Sequence, residues 1–288
     1  MSVLILGSGV VGEATGLGLR HLGHEVGFVD IDGDRLTELS DRGLATVHAD
    51  QLTLDGVEAV FVAVPTPSTV RGIDLSAVDA ACKALGSALQ TADTDPLIVF
   101  RSTMVPGTTR HGIVPQLQDM SGRSEGDAFH VCYNPEYLRA RTAVEDFLGR
   151  RFVTIGTACP GGVASQRLRQ LFAGFDARFS EFTFEQAEFQ KYVHNLVNAV
   201  KISFFNEMRR AAAALDIDGV DEVFDLTAAT AEAIWNPAYG LADRGPFAGA
   251  CLPKDTMAWL IHTREHGAPA HVVQAARLVN LITGGPRA

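Results

Sequence analysis

A chain of 288 residues that is 47% hydrophobic and 20% charged has apolar material for two modest cores and reads as globular. Its formal net charge of -10 argues against nucleic acid or an anionic membrane as the main partner, while leaving room for a small anionic ligand in a locally positive pocket. Four scattered cysteines (Cys82, Cys132, Cys159 and Cys251) show no metal-ligand spacing, so neither a structural zinc site nor a disulfide framework is expected, and no metal.

The first residues, Met1 to Gly7, lack the basic start and small-residue cleavage site of a signal peptide, and no apolar run reaches membrane-spanning length. A cytoplasmic protein is expected. Val3–Leu6 is an apolar run that passes directly into Gly7-Ser-Gly9-Val-Val-Gly12, and Glu13 to Leu22 has helix-compatible spacing. A buried strand, a Gly-rich turn and a helix form the first unit of a dinucleotide-binding sheet. Gly7 permits the tight turn, Gly9 lets backbone approach a pyrophosphate, Gly12 lets helix and strand pack, and the helix start at Val10 and Val11 offers free N–H groups. The next strand, Glu25 to Asp30, ends in an acid about twenty residues beyond the glycines, as recognition of a ribose diol requires. An acid there repels a 2′-phosphate, so NAD is expected rather than NADP. Arg35 is a weaker candidate for the adenine or ribose edge.

Gly56–Val64 reads as a further buried strand, stopped by Pro65-Thr66-Pro67. Leu75–Gln90 has an Ala-rich helical pattern. Pro96–Phe100 is the next strand, and the hydroxyls of Ser102 and Thr103 follow at its carboxyl end, where ligands bind in open α/β sheets. Strands are expected at His130–Tyr133 and Arg151–Ile155, with Asn134-Pro135-Glu136-Tyr137-Leu138 as the loop between them. The candidate cofactor set is therefore Gly7, Gly9, Val10, Val11, Gly12, Asp30, Arg35, Val64, Pro65, Thr66, Ser102 and Thr103.

From Phe184 to Leu215 neither Pro nor Gly interrupts the pattern, which predicts a helix of about 45 Å serving as a spine. Lys191, Asn195 and Asn198 share one of its faces and make a row of donors for an oxyanion. Further helices are expected at Asp221–Ala233, Asp255–His266 and Ala270–Ile282, before the terminal Thr283–Ala288. Phe247-Ala-Gly-Ala-Cys251-Leu-Pro-Lys-Asp255 places a cysteine after small residues, with a cation and a carboxylate close behind. That is the setting of a nucleophilic thiol. Domains are expected at 1–183 and 184–288.

Taken in order, these segments resemble the UDP-glucose/GDP-mannose dehydrogenase family. The resemblance rests on Gly7-Ser-Gly-Val-Val-Gly12, Val62-Ala-Val-Pro-Thr-Pro67, Arg101-Ser-Thr-Met-Val-Pro-Gly-Thr108, Asn134-Pro-Glu-Tyr-Leu138, Lys191-Tyr-Val-His-Asn195, Lys201–Glu207 and Cys251-Leu-Pro-Lys-Asp255. It implies an α/β fold, a Rossmann-type doubly wound parallel sheet followed by an all-helical domain with a long connecting helix. The implied activity is NAD-dependent, four-electron oxidation of a primary alcohol to a carboxylate, on a nucleotide sugar or a smaller nucleoside-like alcohol. Cys251 would capture the aldehyde as a thiohemiacetal that becomes a thioester. Lys191 and Asn195 would stabilise the alkoxide and oxyanion, Asp255 would stand beside the nucleophile, Glu136 would be the base for hydrolysis, and Thr103 would help to hold the water. Asp30 and Arg35 match the ribose contacts.

Three departures accompany the resemblance. Ala140 stands where the family has a second acid, Ala248-Gly-Ala250 replaces Gly-Gly-Ser, and the chain stops about where the central helical domain ends, without the third, nucleotide-binding domain. Two other readings stay open: a two-electron β-hydroxyacid-type dehydrogenase, and a non-catalytic NAD-binding paralogue. A homodimer through the helical domain is expected, because the spine would otherwise expose apolar side chains, among them Phe204 and Phe205.

Overall fold

A computed structural model of the chain describes residues 1–285, so the end of the expected terminal segment, 286–288, lies outside the described residues. In chain order the elements are β1 (Ser2–Leu6), α1 (Val10–His21), β2 (Glu25–Asp30), α2 (Gly33–Asp41), β3 (Ala45–His48), β4 (Ala59–Val62), β5 (Ser68–Thr69), β6 (Gly72–Ile73), α3 (Ser76–Leu89) and β7 (Leu97–Phe100). There follow α4 (Val114–Ser121), β8 (His130–Tyr133), α5 (Ala143–Leu148), β9 (Phe152–Thr157), α6 (Val163–Leu171), β10 (Arg178–Thr183) and α7 (Phe184–Ala214). The remaining helices are α8 (Val220–Thr230), α9 (Glu232–Trp235), α10 (Leu252–Glu265) and α11 (His271–Ile282). Two compact units result, Met1–Val193 and His194–Ala288, and their boundary falls within α7.

The first unit is organised by an eight-stranded sheet in the order β10-β9-β8-β7-β4-β1-β2-β3. From β3 to β8 all neighbours are parallel, and with the β5-β6 hairpin set aside they follow the 3-2-1-4-5-6 order of a dinucleotide-binding sheet. The expected doubly wound parallel sheet is present, with one antiparallel pair toward its far edge. β9 meets β8 antiparallel, through Tyr133 and Gly156, and β10 then pairs parallel with β9. The sheet is thus mixed, because the chain between β8 and β9 returns along the same edge instead of crossing over.

Every residue of β4, β7 and β8 is buried, which is why these strands are continuous apolar runs instead of alternating ones. One face is covered by α1, α5 and α6 through Leu19, Phe147, Leu168 and Phe172. The opposite face is covered by α3 and α4 through Cys82, Leu85, Leu89 and Leu117.

In the second unit, the single helix expected at Asp221–Ala233 is two helices. Ala231 turns to an extended backbone (ψ 116°), and the Trp235 indole N–H donates to the Thr230 carbonyl that the break leaves open. The helix expected from Asp255 begins three residues earlier, at Leu252. Pro253 is tolerated there because a first-turn residue has no helical acceptor for its N–H to lose. Phe204 and Phe205 are not exposed as expected. Both are half-buried and pack edge to face in a cluster with Phe224.

Candidate active site

Strand register lines up one edge of the sheet. Leu6 pairs with Val29 and Val62, Val62 with Phe100, and Phe100 with Tyr133, so the next residues of five strands share one level. Gly7, Ala63, Arg101 and Asn134 continue the ladder by one more backbone hydrogen bond each, 2.8–2.9 Å long. A cavity of about 860 Å³ opens at this carboxyl edge, lined among others by Gly7, Gly9, Asp30, Val64, Thr103 and Glu136.

Steric constraint explains the glycines. Gly7 has φ 91°, and a Cβ on it would sit 2.9 Å from the Ala63 carbonyl; one on Gly12 would sit 1.8 Å from the Gly7 oxygen. Gly9, the residue before α1, faces open space, with nothing within 4 Å of where its Cβ would be. That is the approach a pyrophosphate needs, above the free N–H groups of the helix start. The Asp30 carboxylate ends β2 in the cavity wall. Partial burial pulls its pKa up, but hydrogen bonds from the Ser8 hydroxyl and N–H and from the Asp32 and Ile31 N–H groups outweigh this and hold it below the usual range. The donor distances are 2.5, 2.6, 3.1 and 2.8 Å in that order, so every acceptor site of the carboxylate is taken by the protein itself. A ribose diol would replace the rotatable Ser8 hydroxyl. Asp32 and Asp50 line the same lobe, an environment hostile to a 2′-phosphate. These residues fit NAD.

Of the cofactor candidates, Gly7, Gly9, Val10, Val11, Asp30, Val64, Pro65, Thr66, Ser102 and Thr103 line the cavity; Gly12 and Arg35 do not. Gly12 acts through close packing. Arg35 is paired with Glu13 and Glu38, and its Nε donates to the Ser8 carbonyl at 2.9 Å, which braces the Gly-rich turn from behind.

Glu136 stands on the loop after β8. Lys191, on the first turns of α7, is buried and donates to the Glu136 carbonyl and to its Oε1 (3.3 Å); Oε2 accepts from the Leu138 N–H at 2.6 Å. Thr103 supplies its carbonyl to the Thr66 hydroxyl at 2.9 Å and so ties the β7 loop to the β4 loop. Two further residues hold this arrangement: Arg101, which heads the Arg101–Thr108 motif without a role legible in it, and Glu188, which lies in no motif. Arg101, fully buried, donates to the Asn134 side chain, whose Nδ2 donates to the Thr154 carbonyl at 2.7 Å; this orients the Asn134-Pro135-Glu136 turn. Glu188, also fully buried, accepts from the N–H groups of Gly107 (2.6 Å) and Thr109 (2.8 Å) and from the Thr109 hydroxyl (2.6 Å). It anchors the β7 loop to the helix that carries Lys191. A carboxylate three residues before Lys191 on the inward side of α7 is the only sequence signal that could have found it.

In the helical unit, Cys251 is exposed and immediately precedes α10, where the unpaired N–H groups of a first turn favour negative charge. Lys254 and Asp255 are both exposed and pair with each other. The segment is held from α11: Arg277 Nη1 donates to the Pro253 carbonyl (2.8 Å) and the Thr256 hydroxyl (2.9 Å), and Asn280 Nδ2 donates to the Phe247 carbonyl (3.0 Å). Glu207 of α7 accepts from the Val272 N–H (2.8 Å) at the start of α11. Asn195 is exposed, with its Oδ1 3.1 Å from His194 Nδ1.

The chain's sequence matches two family profiles. Residues 44–176 match the UDP-glucose/GDP-mannose dehydrogenase family NAD binding domain, and residues 185–281 match the central domain of that family. The chain belongs to the UDP-glucose/GDP-mannose dehydrogenase family. It carries the family's NAD-binding domain and is an NAD-dependent oxidoreductase by descent. It is 34% identical to the UDP-glucose 6-dehydrogenase AglM of Haloferax volcanii, over 97% of this chain and 69% of that protein. It is 32% identical to the GDP-mannose 6-dehydrogenase of Pseudomonas syringae, over 90% of this chain and 63% of that protein. The crystal structure of a ternary complex of GDP-mannose dehydrogenase from Pseudomonas aeruginosa superposes with a TM-score of 0.90 at 27% identity, covering 98% of this chain and 69% of that one. The chain thus spans about two thirds of the length of these relatives. Among the described residues no helix is long and apolar enough to cross a membrane.

Proposed function

We propose that this chain oxidises the primary alcohol of a nucleotide sugar, or of a smaller nucleoside-like alcohol, to the carboxylate in two two-electron stages. The relatives named for 6-dehydrogenation of UDP-glucose and GDP-mannose support the substrate class. The observation that carries the chemistry is the coexistence, in one chain, of a dinucleotide cavity with the buried Lys191–Glu136 pair at its wall and an exposed thiol heading a helix. Simple hydride removal from an alcohol needs no thiol; retaining and oxidising the aldehyde does.

NAD, held by the Gly7–Gly12 turn and Asp30, would supply the hydride acceptor for each stage. In the first, the alcohol carbon gives up a hydride and its hydroxyl a proton, leaving an aldehyde. Cys251 Sγ then bonds to that carbon while the carbonyl oxygen takes a proton, and the thiohemiacetal still bears a transferable hydride. Its loss, with the hydroxyl proton, leaves a thioester. Water adds to the thioester, the carbon–sulfur bond breaks, and the carboxylate leaves with the thiol restored. Lys191 and Asn195 are the donors that stabilise the oxyanion at each tetrahedral stage. Glu136 takes the proton from the attacking water, the Thr103 hydroxyl orients that water, and Asp255 handles charge beside the nucleophile. Ala140 leaves Glu136 as the acid of its loop for this step.

A panel of UDP-, GDP- and dTDP-sugars and free nucleosides tests the reading by counting NADH per alcohol consumed. Two is the expected value; one would return the chain to the two-electron class, and no turnover across the panel with intact NAD binding would favour the non-catalytic reading. Exposed Leu196, Val197, Val200 and Ile202 on α7 and Leu278, Val279 and Ile282 on α11 support a homodimer through the helical unit, which sedimentation velocity would test.

A further inference from the structure

A second cavity, of about 350 Å³, lies under the Glu136 loop in the sheet unit, lined by Asn134–Arg139, by Arg101 and Arg150, and by the start of β9 at Phe152 and Val153. Its walls contain two guanidinium groups in an unusual condition. Arg101 is 2% exposed, and its Nε has no hydrogen-bond partner. Arg150 sits in an aromatic nest, its Cζ 3.4 Å from the centroid of Phe147, 4.6 Å from Phe172 and 4.7 Å from Phe175. Its Nε donates to the Phe147 carbonyl at 2.8 Å, and its two terminal nitrogens have no protein acceptor among the described residues. Arg101 approaches the same Phe147 ring, at 5.7 Å. Neither arginine meets a carboxylate at ion-pair distance among the described residues.

Among the acids that line the cavity, Glu136 offsets part of the Arg101 burial through space and without a hydrogen bond, and none pairs with Arg150. Asp146 is taken by Arg139 (2.7 Å) and Glu136 by Lys191 (3.3 Å), while Glu145 is exposed to solvent. Arg151 also stands in the lining. Burial, and then the like charge of Arg101, pushes the Arg150 guanidinium down to about 8; burial pushes Arg101 down to about 10 against the opposing pull of the Glu136 carboxylate. Two desolvated cations near one ring, with Glu136 acting on Arg101 and no carboxylate paired with Arg150, favour a further negative group between them. With Arg150 packed over Phe147 and its Nε engaged, the two terminal nitrogens remain to receive oxygens of an anion.

We infer that this cavity is a site for a small oxyanion, a phosphate group or a carboxylate, held by the guanidinium groups of Arg101 and Arg150. The site adjoins the dinucleotide cavity, which Arg101 and Glu136 also line, whereas Arg150 lines the smaller one alone. Because Arg101 also orients Asn134, an anion here bears on the turn that presents Glu136. The inference does not depend on the proposed alcohol oxidation, and its test uses binding alone.

Calorimetric titration of the whole chain with inorganic phosphate and, separately, with acetate, in chloride of matched ionic strength, reads the site directly. One-to-one binding of phosphate alone identifies a phosphate site, and binding of acetate as well identifies a carboxylate-accepting one. Binding is expected to persist with NAD saturating, and Arg150→Gln is expected to weaken it by about tenfold or more. Arg150→Lys, which keeps the charge but loses the planar fork, falls between. Binding of neither anion, displacement of the anion by NAD, or equal affinity in Arg150→Gln would each overturn the proposal. The competition with NAD needs only the unmodified chain, so a variant that fails to fold leaves the question decidable.

Discussion

Among the described residues the protein contains two lysine–carboxylate pairs, one in each unit, and the fold treats them differently. Lys191 and Glu136 are brought together across 55 residues of sequence, with side chains only 4% and 17% exposed. Lys254 and Asp255 are sequence neighbours and remain 71% and 62% exposed. The first pair is a product of tertiary structure, because the β8 loop and α7 must both be in place before it exists. The second needs only a turn of chain. The sheet unit thus fixes its polar groups by burying them, whereas the helical unit fixes backbone, through Arg277, Asn280 and Glu207, and leaves Cys251, Asp255 and Asn195 open to solvent.

This contrast predicts a separation of activity from stability. In the helical unit the largest effect is expected from Cys251→Ala, which should abolish carboxylate formation, by about 10³-fold or more, while the melting temperature stays that of the parent. A substituted protein that still yields two NADH per alcohol would eliminate the covalent scheme. In the sheet unit, Lys191→Ala should lower both. Removing the ammonium leaves the Glu136 carboxylate without its buried partner, at a cost of about 3 kcal/mol in chemical denaturation, and turnover should fall by about 10²-fold. Lys254→Ala provides the matched control, with an unchanged unfolding curve expected because both members of its pair are solvated. Equal destabilisation by the two lysine variants would erase the distinction drawn here.

The same contrast explains what could be read from sequence. β2 at Glu25–Asp30 and β8 at His130–Tyr133 are legible to the residue, because buried strands must be apolar and the turns that end them have strict steric demands. The long helix is legible because neither Pro nor Gly interrupts it. α2, α4, α5, α6 and β10 carry no such mark, since each is partly exposed and its apolar positions are interleaved with polar ones. Arg101 and Glu188 illustrate the deeper difficulty. By residue type both belong on the surface, and only the closure of the sheet edge and the docking of α7 bury them. Chemistry-bearing motifs could therefore be identified, with Arg101 among their residues, but not the buried positioning role of Arg101 or the place of Glu188.

A smaller effect is expected at the cofactor lobe, where the carboxylate is fixed by its own unit. Asp30→Asn should weaken NAD binding about tenfold, because a neutral amide holds a ribose diol less well and its nitrogen faces the donors that now surround the carboxylate. Ser8→Ala should act in the opposite direction, strengthening NAD binding about twofold to threefold, since it removes the hydroxyl that competes for Asp30. Fluorescence titration with NADH measures both. Weaker binding in Ser8→Ala would show that the hydroxyl belongs to the cofactor site instead of competing with it.

The smallest effect lies at the start of α7, where two glutamates one turn apart respond to pH with opposite sign. The Arg110 guanidinium bonded to Glu185 brings that carboxyl from its ordinary value of 4.5 down to about 2. Its stabilisation is present above 4.5 and is lost as pH falls toward 2, because the unfolded chain takes up the proton first. Burial raises Glu188 in spite of its hydrogen bonds from Thr109 and Gly107, so the folded chain takes up that proton first and gains stability relative to the unfolded chain as pH falls. Glu185→Gln should accordingly flatten the decline of the unfolding midpoint between about pH 4.5 and 2, by a modest amount because the pair is partly solvated. Glu188→Gln should act instead above pH 4.5, where it removes the stability gained as pH falls from the raised folded value toward 4.5. Denaturation curves from about pH 7 to 2 separate the two windows, and a flattened decline below pH 4.5 in both variants would mean that Glu188 is held as a carboxylate by its three donors in spite of burial.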